Sequence, residues 1–312
     1  MLKVAIENGY NTKYTAKDIY GTRFFMQNIF HKHGIELVRV SINKFDGKNK
    51  YFTEYNTMDS LWNNILIDKP YTPDIVWIRK WTWIKHKYEN LQSFTVVPSE
   101  KIAVLWNDKF ENFKFTHTYQ PTTFLLSWFF KNTSIQKQFL DTIVLKPIRA
   151  NGGRWIILTT TKKLLQNKQK YIWLDELYVI QQFKDFGQWY PWICISNHDI
   201  RLMFAGKTII EVTLRIPKTG DFRSNIWSGG IQIPLQKKQL PKELLSLSKK
   251  IYKDLNLEGN DILSMDFAYC KKEKKRYLLE INASPGTWYY QTDKRILKKI
   301  CMWLITFFKT LS

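Results

Sequence analysis

Two carboxylates and an amide stand close together in the stretch 261–286, DILSMDFAYCKKEKKRYLLEINASPG. Residues 263–270 and 276–281 have strand character, and the charged link 271–275 between them completes the pattern of a β-hairpin. Asp266 lies in the first run, Glu280 in the second, and Asn282 two residues further on. Side chains two apart on a strand share a face, so Glu280 and Asn282 project together. Pairing about the 271–275 turn brings Asp266 to the same end. Three hard oxygen donors on one face suit Mg²⁺, which keeps several waters and binds nucleotide phosphates alongside. The same spacing also describes an ordinary edge hairpin with solvated carboxylates. Ser284, Pro285 and Gly286 then end the strand.

Cationic groups supply a second signal. Lys146 stands inside the apolar run 143–147, IVLKP, where a charge is costly to bury unless an anion meets it. Ala150, Asn151, Gly152 and Gly153 follow it, ahead of an apolar strand expected at 155–158. A small-residue loop between strands exposes backbone N–H groups that can fold over phosphates. The pattern is not the nucleotide-binding G-x-x-x-x-G-K-[ST]. Further on, 199–203 and 207–214 alternate around Ala205 and Gly206 as a hairpin, with Asp199 and Arg201 on one face and Arg215 on the second strand. The loop 218–230 adds Arg223, Asn225 and two glycines. Arginines so clustered are equipped to meet phosphate and carboxylate. A set of surface salt bridges would read the same way.

The elements that must hold these residues begin with a strand at 2–7, a helix at 16–33 ended by Gly34, and a second strand at 35–42: a βαβ unit. A helix is expected within 59–67 and a third strand at 74–79, giving a small parallel sheet without a G-x-G-x-x-G fingerprint. Trp77, Arg79, Trp81 and Trp83 alternate at that strand's end, where α/β sheets place ligands, though tryptophan also packs. Residues 107–114 read as a helix, and the segment after Gln120-Pro121-Thr122-Thr123 as an apolar strand. Residues 178–183 form a buried strand, and the aromatic run 187–195 interrupts the chain before the 199 hairpin. Residues 240–255 are an amphipathic helix. The apolar stripe of 296–311 suits a last helix docked on a sheet, or one lying on an anionic membrane surface.

With 312 residues, 44% hydrophobic content and 13 Trp, the chain is of globular composition. Its three cysteines are isolated and lack metal-like spacing, which suits a reducing compartment. The opening MLKVAIENGY does not read as a signal or transit peptide, and no apolar run reaches bilayer-spanning length, so a cytoplasmic location is expected. The net charge of +21 would draw any polyanion, an acidic peptide or a nucleic acid among them. The lysines fall in loop-like stretches without repeated aromatic partners, which favours a solvated surface over a dedicated RNA face.

Together these motifs resemble the ATP-grasp ligases, in particular the RimK group of the ribosomal-protein glutamate ligase and related peptide-modifying enzymes. The resemblance covers about 101–286 and is densest in HDIRLMFAGKTIIEVTLR, TGDFRSNIWSGG and YLLEINASPG. It implies an α/β (α+β) chain with the ATP-grasp fold: a βαβ pre-ATP-grasp domain over 1–100, a small central lid over 101–180, and a mixed-sheet domain over 181–312 carrying the metal hairpin. By the same likeness, Lys109 and Lys146 would hold ATP phosphates under the loop of Asn151, Gly152 and Gly153, and Gln181, Gln182 and Phe183 would lie against adenine. Asp199 would contact the nucleotide, and Arg223 and Asn225 would lie by the phosphates. Asp266, Glu280 and Asn282 would carry two Mg²⁺ ions, with Mn²⁺ as a substitute, and Arg201 and Arg215 would meet the carboxylate or acyl phosphate. The chain departs from the family in Gln182, where an acidic residue is common, in Arg154-Trp155, where a glycine is usual, and in the length of 187–197.

What the resemblance implies is an ADP-forming carboxylate–amine ligase working on a peptide or protein. Addition of an amino acid and crosslinking of side chains within a precursor peptide both stay open as reactions. So does a nucleotide-regulated RNA- or ribosome-binding protein without ligase activity, and so does assembly into a homo-oligomer.

Overall fold

The first strand, β1 (Leu2–Glu7), leads into helix α1 (Lys17–Lys32) and then β2 (Ile35–Val40), which pairs parallel with β1 from Leu2–Ile35 to Glu7–Val40. This structure, a computed structural model, describes residues 1–7, 17–58, 64–79, 84–139, 142–150, 153, 155–174, 176–186, 194, 197–224, 228–283 and 294–312. A short hairpin of β3 (Phe45–Asp46) and β4 (Tyr51–Phe52) follows, then β5 (Tyr55–Met58), β6 (Asn64–Ile67), β7 (Ile75–Ile78), helix α2 (Ile84–Asn90) and β8 (Thr95–Val97). Six of these strands form one sheet in the order β6-β5-β2-β1-β7-β8. Its centre is parallel, and β5 and β6 add an antiparallel edge. The helix expected within 59–67 therefore gives way, in its described part, to a strand. Asn64–Ile67 pairs along its whole length with β5, and that ladder outweighs local propensity.

Burial explains the composition of β7. Its four residues, IVWI, are all buried, Ile75 and Trp77 facing one core and Val76 and Ile78 the other, as a central parallel strand requires. Trp77 is packing: its ring lies 5.7 Å from that of Phe308, with the Arg79 guanidinium 5.0 Å from its centroid. Trp81 and Trp83 lie outside the described residues.

The next segment holds α3 (Glu100–Asn107), α4 (Lys109–Thr116), β9 (Thr123–Leu125), α5 (Leu126–Lys131), α6 (Thr133–Gln136), β10 (Thr142–Pro147), β11 (Ile157–Thr160), α7 (Thr161–Gln166), α8 (Lys168–Tyr171) and β12 (Tyr178–Gln182). The single helix expected over 107–114 is broken at Asp108, which caps α4 by accepting from Phe110 N and Glu111 N. The apolar run after Thr123 stays extended for three residues only. Leu126, Phe129 and Phe130 then bury one helical face. Strand β11 starts at Ile157 rather than at 155, because Trp155 occupies a turn with φ 56°. The antiparallel sheet β11-β10-β12-β9 closes over its own core of Phe129, Ile143, Leu145, Leu164 and Ile180.

The rest comprises β13 (Asp199–Ala205), β14 (Thr208–Ile216), β15 (Ile231–Leu235), α9 (Lys242–Asp254), β16 (Ile262–Cys270), β17 (Lys275–Asn282) and α10 (Lys294–Leu311). The five strands form an antiparallel sheet, β15-β14-β13-β16-β17. One face is a continuous apolar core of Ile200, Leu202, Phe204, Leu263, Met265 and Phe267, covered by α9 and by Ile102 and Leu105 of α3. On the opposite face Met203, Ala205 and Ile262 meet α10, which also packs against Val4, Phe30 and Trp77. Helix α10 is thus shared between two sheets. No described helix is long and apolar enough to cross a membrane. The β13–β14 turn needs Gly206: its φ is 56°, and a Cβ there would stand 2.7 Å from the Gly259 carbonyl oxygen.

At the carboxyl end of β1, Glu7 is buried against Lys87 of α2, with Nζ and Oε2 2.5 Å apart and both side chains 1% exposed. Breaking a buried ion pair removes the attraction that offsets the desolvation of its partner. Lys87→Met is expected to lose about 3–5 kcal/mol of stability, read by chemical denaturation, and Glu7→Gln combined with it should recover a large part of that loss.

Candidate active site

The polar ends of three strands build the centre of the site. Odd-numbered positions of β13 and even-numbered positions of β16 face away from the apolar core, so Asp199, Arg201, Ser264 and Asp266 share one surface with Arg215 of β14. Register places Asp199 opposite Arg215, Arg201 opposite Asp266, and Asp266 opposite Glu280. The hairpin of the two carboxylates is therefore present and pairs them directly.

These groups form a buried ionic network. Arg201 holds Asp266 with two bonds, Nε to Oδ1 and Nη2 to Oδ2, each 2.7 Å. Arg215 holds Asp199 in the same forked way at 2.6 and 2.8 Å, and its Nη2 also donates to Asp266 Oδ2 at 2.7 Å. Ser224 donates its hydroxyl to Asp199. Burial alone would raise the Asp266 carboxyl, but the Arg201 and Arg215 guanidiniums overcome it and hold its pKa at about 2. Burial likewise works against the Arg215 charge, yet its carboxylate neighbours raise its pKa above the ordinary arginine value. The network is no surface salt-bridge set: Asp266 is fully buried, and Asp199 and Arg215 are 6% exposed. Asp199 accepts from Arg215 on both oxygens and from Ser224 on one of them, so Arg215 stands directly beside the residue expected to contact a nucleotide.

Glu280 is the accessible carboxylate, with a side chain 38% exposed and lying 3.8 Å from Arg201. Two lysines from other elements lie within electrostatic range of it. Lys109 starts α4, its backbone N–H bonded to Ile148 O and its Nζ to Ala150 O. Lys146 leaves β10, and its Nζ donates to Gln181 Oε1 at 2.6 Å. Burial pushes both amines below the ordinary lysine value, Lys146 to about 8. Glu280 works against that on each, and Lys109 adds to it on Lys146.

The other expected residues are distributed around this group. Gln181 is buried and bridges Lys146 to Thr123 Oγ1, at 2.8 Å from the latter, so its amide serves the lysine. Gln182 closes the strand through its backbone N–H to Thr122 O, and the Phe183 ring meets Phe222 edge-on at 6.5 Å. Arg223 is held by Asp221 through a double bond set and donates Nη1 to Gly153 O at 3.1 Å, joining the 218–230 loop to the glycine loop. Asn151, Gly152 and Asn225 lie outside the described residues, as do 284–286.

A divalent cation asks for hard oxygens. Asp266, Glu280 and Asn282 offer them in kind. Among the described residues no group of three or more His, Cys, Asp or Glu side chains gathers, so a metal centre here rests on two carboxylates and an amide. The set fits in donor type, with Glu280 carrying the open capacity. Asn282 Oδ1 accepts the Trp106 indole N–H at 2.6 Å, while its amino group donates to Glu280 at 2.9 Å. Trp106, Asp108, Asp221 and Thr123 are supporting residues that sequence reasoning missed. Only Asp108 carried a signal, an N-capping residue directly before Lys109.

Residues 108–304 match the RimK-like ATP-grasp domain, and the chain belongs to that family. A probable alpha-L-glutamate ligase of Coxiella burnetii is 28% identical over 149 residues, 46% of this chain and 43% of that one. The match thus spans less than half the length of these curated relatives. A RimK domain ATP-grasp protein from Sphaerobacter thermophilus superposes with a TM-score of 0.59 at 13% identity, covering 97% of this chain and 99% of that one. The D-alanine–D-alanine ligase of Bacillus anthracis, solved with ATP, gives a TM-score of 0.60 at 14% identity over 99% and 98%. The fold is ATP-grasp.

The lowered pKa of Lys146 has a sign that can be read in solution. Its ammonium is present below about pH 8 and lost above it; on the expectation that this lysine meets ATP phosphates, affinity for ATP should fall as pH rises from 7 to 9, by roughly tenfold. Lys146→Arg, which stays charged throughout, should flatten that profile in a titration with a fluorescent nucleotide.

Proposed function

We propose that this chain is an ADP-forming carboxylate–amine ligase that uses ATP, and that it acts on a peptide or protein. One observation carries the reading: Lys109 of α4, held on Ala150 O, and Lys146 of β10, held on Gln181, are two buried amines from separate elements, and both lie within electrostatic range of Glu280 of β17. Two cations beside an accessible carboxylate are the equipment for a polyphosphate and its counterion. The basic surface, +21 overall, favours an acidic peptide as the partner, and the name of the Coxiella burnetii relative points to glutamate as the amine.

The chemistry follows from the weakness of a carboxylate as an acyl donor. An amine cannot displace oxide from it. Attack of a carboxylate oxygen on the γ-phosphorus breaks the bond to the β-phosphate oxygen, releases ADP and leaves an acyl phosphate. The amine nitrogen then attacks the acyl carbon, phosphate departs with the bonding pair, and the nitrogen gives up a proton. Both steps need positioning and charge neutralisation rather than a protein nucleophile. In this reading Lys109 and Lys146 bind the phosphates, with Arg223, Asn225 and the loop of Asn151, Gly152 and Gly153 closing over them. Gln181, Gln182 and Phe183 border the base. Arg201, oriented by Asp266, faces the transferring group, and Arg215 fixes Asp199 and Asp266 behind it. Bound Mg²⁺, held by Glu280 with Asp266 and Asn282, would neutralise phosphate charge.

The test is incubation with Mg-ATP, single amino acids and short acidic peptides, following ADP, AMP and phosphate. ADP and phosphate release that requires both an acid and an amine is expected, and AMP release would reject acyl-phosphate chemistry. A product heavier by one amino-acid residue means addition, and loss of water from a peptide means crosslinking. Glu280→Gln should lower turnover roughly 100-fold with an unchanged melting temperature. Full activity in that variant would remove Glu280 from the metal role.

A further inference from the structure

The tip of the β16–β17 hairpin reads Lys271-Lys272-Glu273-Lys274-Lys275, one acid among four lysines. That acid is directed at a distant part of the chain. Glu273 Oε1 accepts from Lys184 Nζ at 2.5 Å, and Oε2 accepts from the Tyr277 hydroxyl. Lys184 lies 5.6 Å from the Tyr277 ring centroid with its side chain only 10% exposed, and the Phe186 ring is 6.1 Å from the same tyrosine. Tyr277 itself is buried. The segment leaving β12 is therefore fastened to the hairpin that bears Asp266 and Glu280. The fastening point is one residue beyond Phe183.

The placement has a consequence for any ligand that touches both bodies. Gln181 and Gln182 end a strand of the four-stranded sheet, whereas Glu280 belongs to the five-stranded sheet. A nucleotide bound as proposed above spans the two, its base against the first and its phosphates near the second. Fixing two loosely joined bodies at the moment of binding costs affinity, and a contact formed beforehand removes part of that cost. We propose that Lys184, Glu273 and Tyr277 are positioning residues that set the spacing between the base-facing segment and Glu280, and so tune ATP affinity without entering the transfer step. The inference rests on the reading of this cleft as an ATP site.

An ordinary half-exposed ion pair would add little to stability and nothing to ligand binding. Here the charge pattern makes the contact decisive. Without Glu273, Lys184 would be left beside Lys275, whose ammonium lies over the same Tyr277 ring at 4.8 Å, with no intervening acid, and the contact would turn repulsive. The effect of losing it should therefore be largest at low ionic strength.

Binding of ATP to the full chain, measured by calorimetry in Mg²⁺ buffer, tests this with five variants. Glu273→Gln and Lys184→Met should each bind ATP roughly fivefold to twentyfold more weakly, with kcat at saturating ATP changed less than about twofold, since uniform binding is what they alter. The exchange Lys184→Glu with Glu273→Lys should recover affinity to within about threefold of the native chain. Tyr277→Phe, which removes only the hydroxyl and protects the result should a charge variant unfold, should weaken binding by about threefold. Unchanged affinity in the single variants, or an exchange variant no better than the worse single one, overturns the proposal. Lys146→Met separates the two levels. If the native chain or Lys146→Met shows that ATP does not depend on this cleft, the site reading fails. If Lys146→Met loses ATP and Glu273→Gln does not, the positioning role alone fails.

Discussion

Everything in the cleft depends on the pairing of Arg201 and Arg215 with Asp266 and Asp199. Four charges in adjacent strands are largely withdrawn from water, and they are tolerable because each guanidinium is held by forked bonds and each carboxylate by at least two donors. Each pair sits at a direct register position, so a slip of one strand by one residue would break the network and also turn Leu202, Met265 and Phe267 out of the core behind it. The ionic face and the apolar face of the five-stranded sheet thus specify the same alignment from opposite sides. The network also leaves Glu280, at its margin, as the group with capacity to spare.

Around that centre the other parts are brought in by bracing contacts. The corner between α3 and α4 delivers Lys109 and Trp106 together, and Asn112 in α4 donates its amide to the Leu105 and Ile281 carbonyls, tying the corner to the strand that bears Glu280 and Asn282. Lys146 reaches the same place from a different sheet, steadied by Gln181. The two lysines are therefore held by unrelated supports, and their mutual repulsion is moderated by the carboxylate between their surroundings. In a buried setting this is a costly arrangement for a protein without a ligand, and an anionic ligand would reverse the cost.

Much of this was legible in the sequence where local pattern and tertiary role agree. Alternation in 199–203 and 263–270 gave both strands and the face their charges occupy, and Gly206 marked the turn between β13 and β14. Lys146 stood out because a lysine in an apolar strand asks for an explanation. The misread stretches are those where pairing partners decide. Asn64–Ile67 is extended because β5 lies beside it, and 126–131 is helical because three aromatic and aliphatic side chains fall on one stripe facing β10 and β12. Trp106 could not be found by spacing, since its importance comes from Asn282, far away in the chain. Nor could the pattern reveal that Asp199 is held by Arg215 and Ser224. A charged residue on a strand face reads the same whether it awaits a ligand or already has a partner.

The position of α10 carries a consequence for how such a chain can be made. The first sheet is complete as a ladder once β8 exists, yet the face bearing Val4, Phe30 and Trp77 is covered by Leu297, Ile300, Leu304 and Phe308. During vectorial synthesis that face stays open while the intervening two sheets emerge. Full burial of the amino-terminal sheet therefore waits for α10, and a fragment ending after β8 would present an apolar surface to its neighbours.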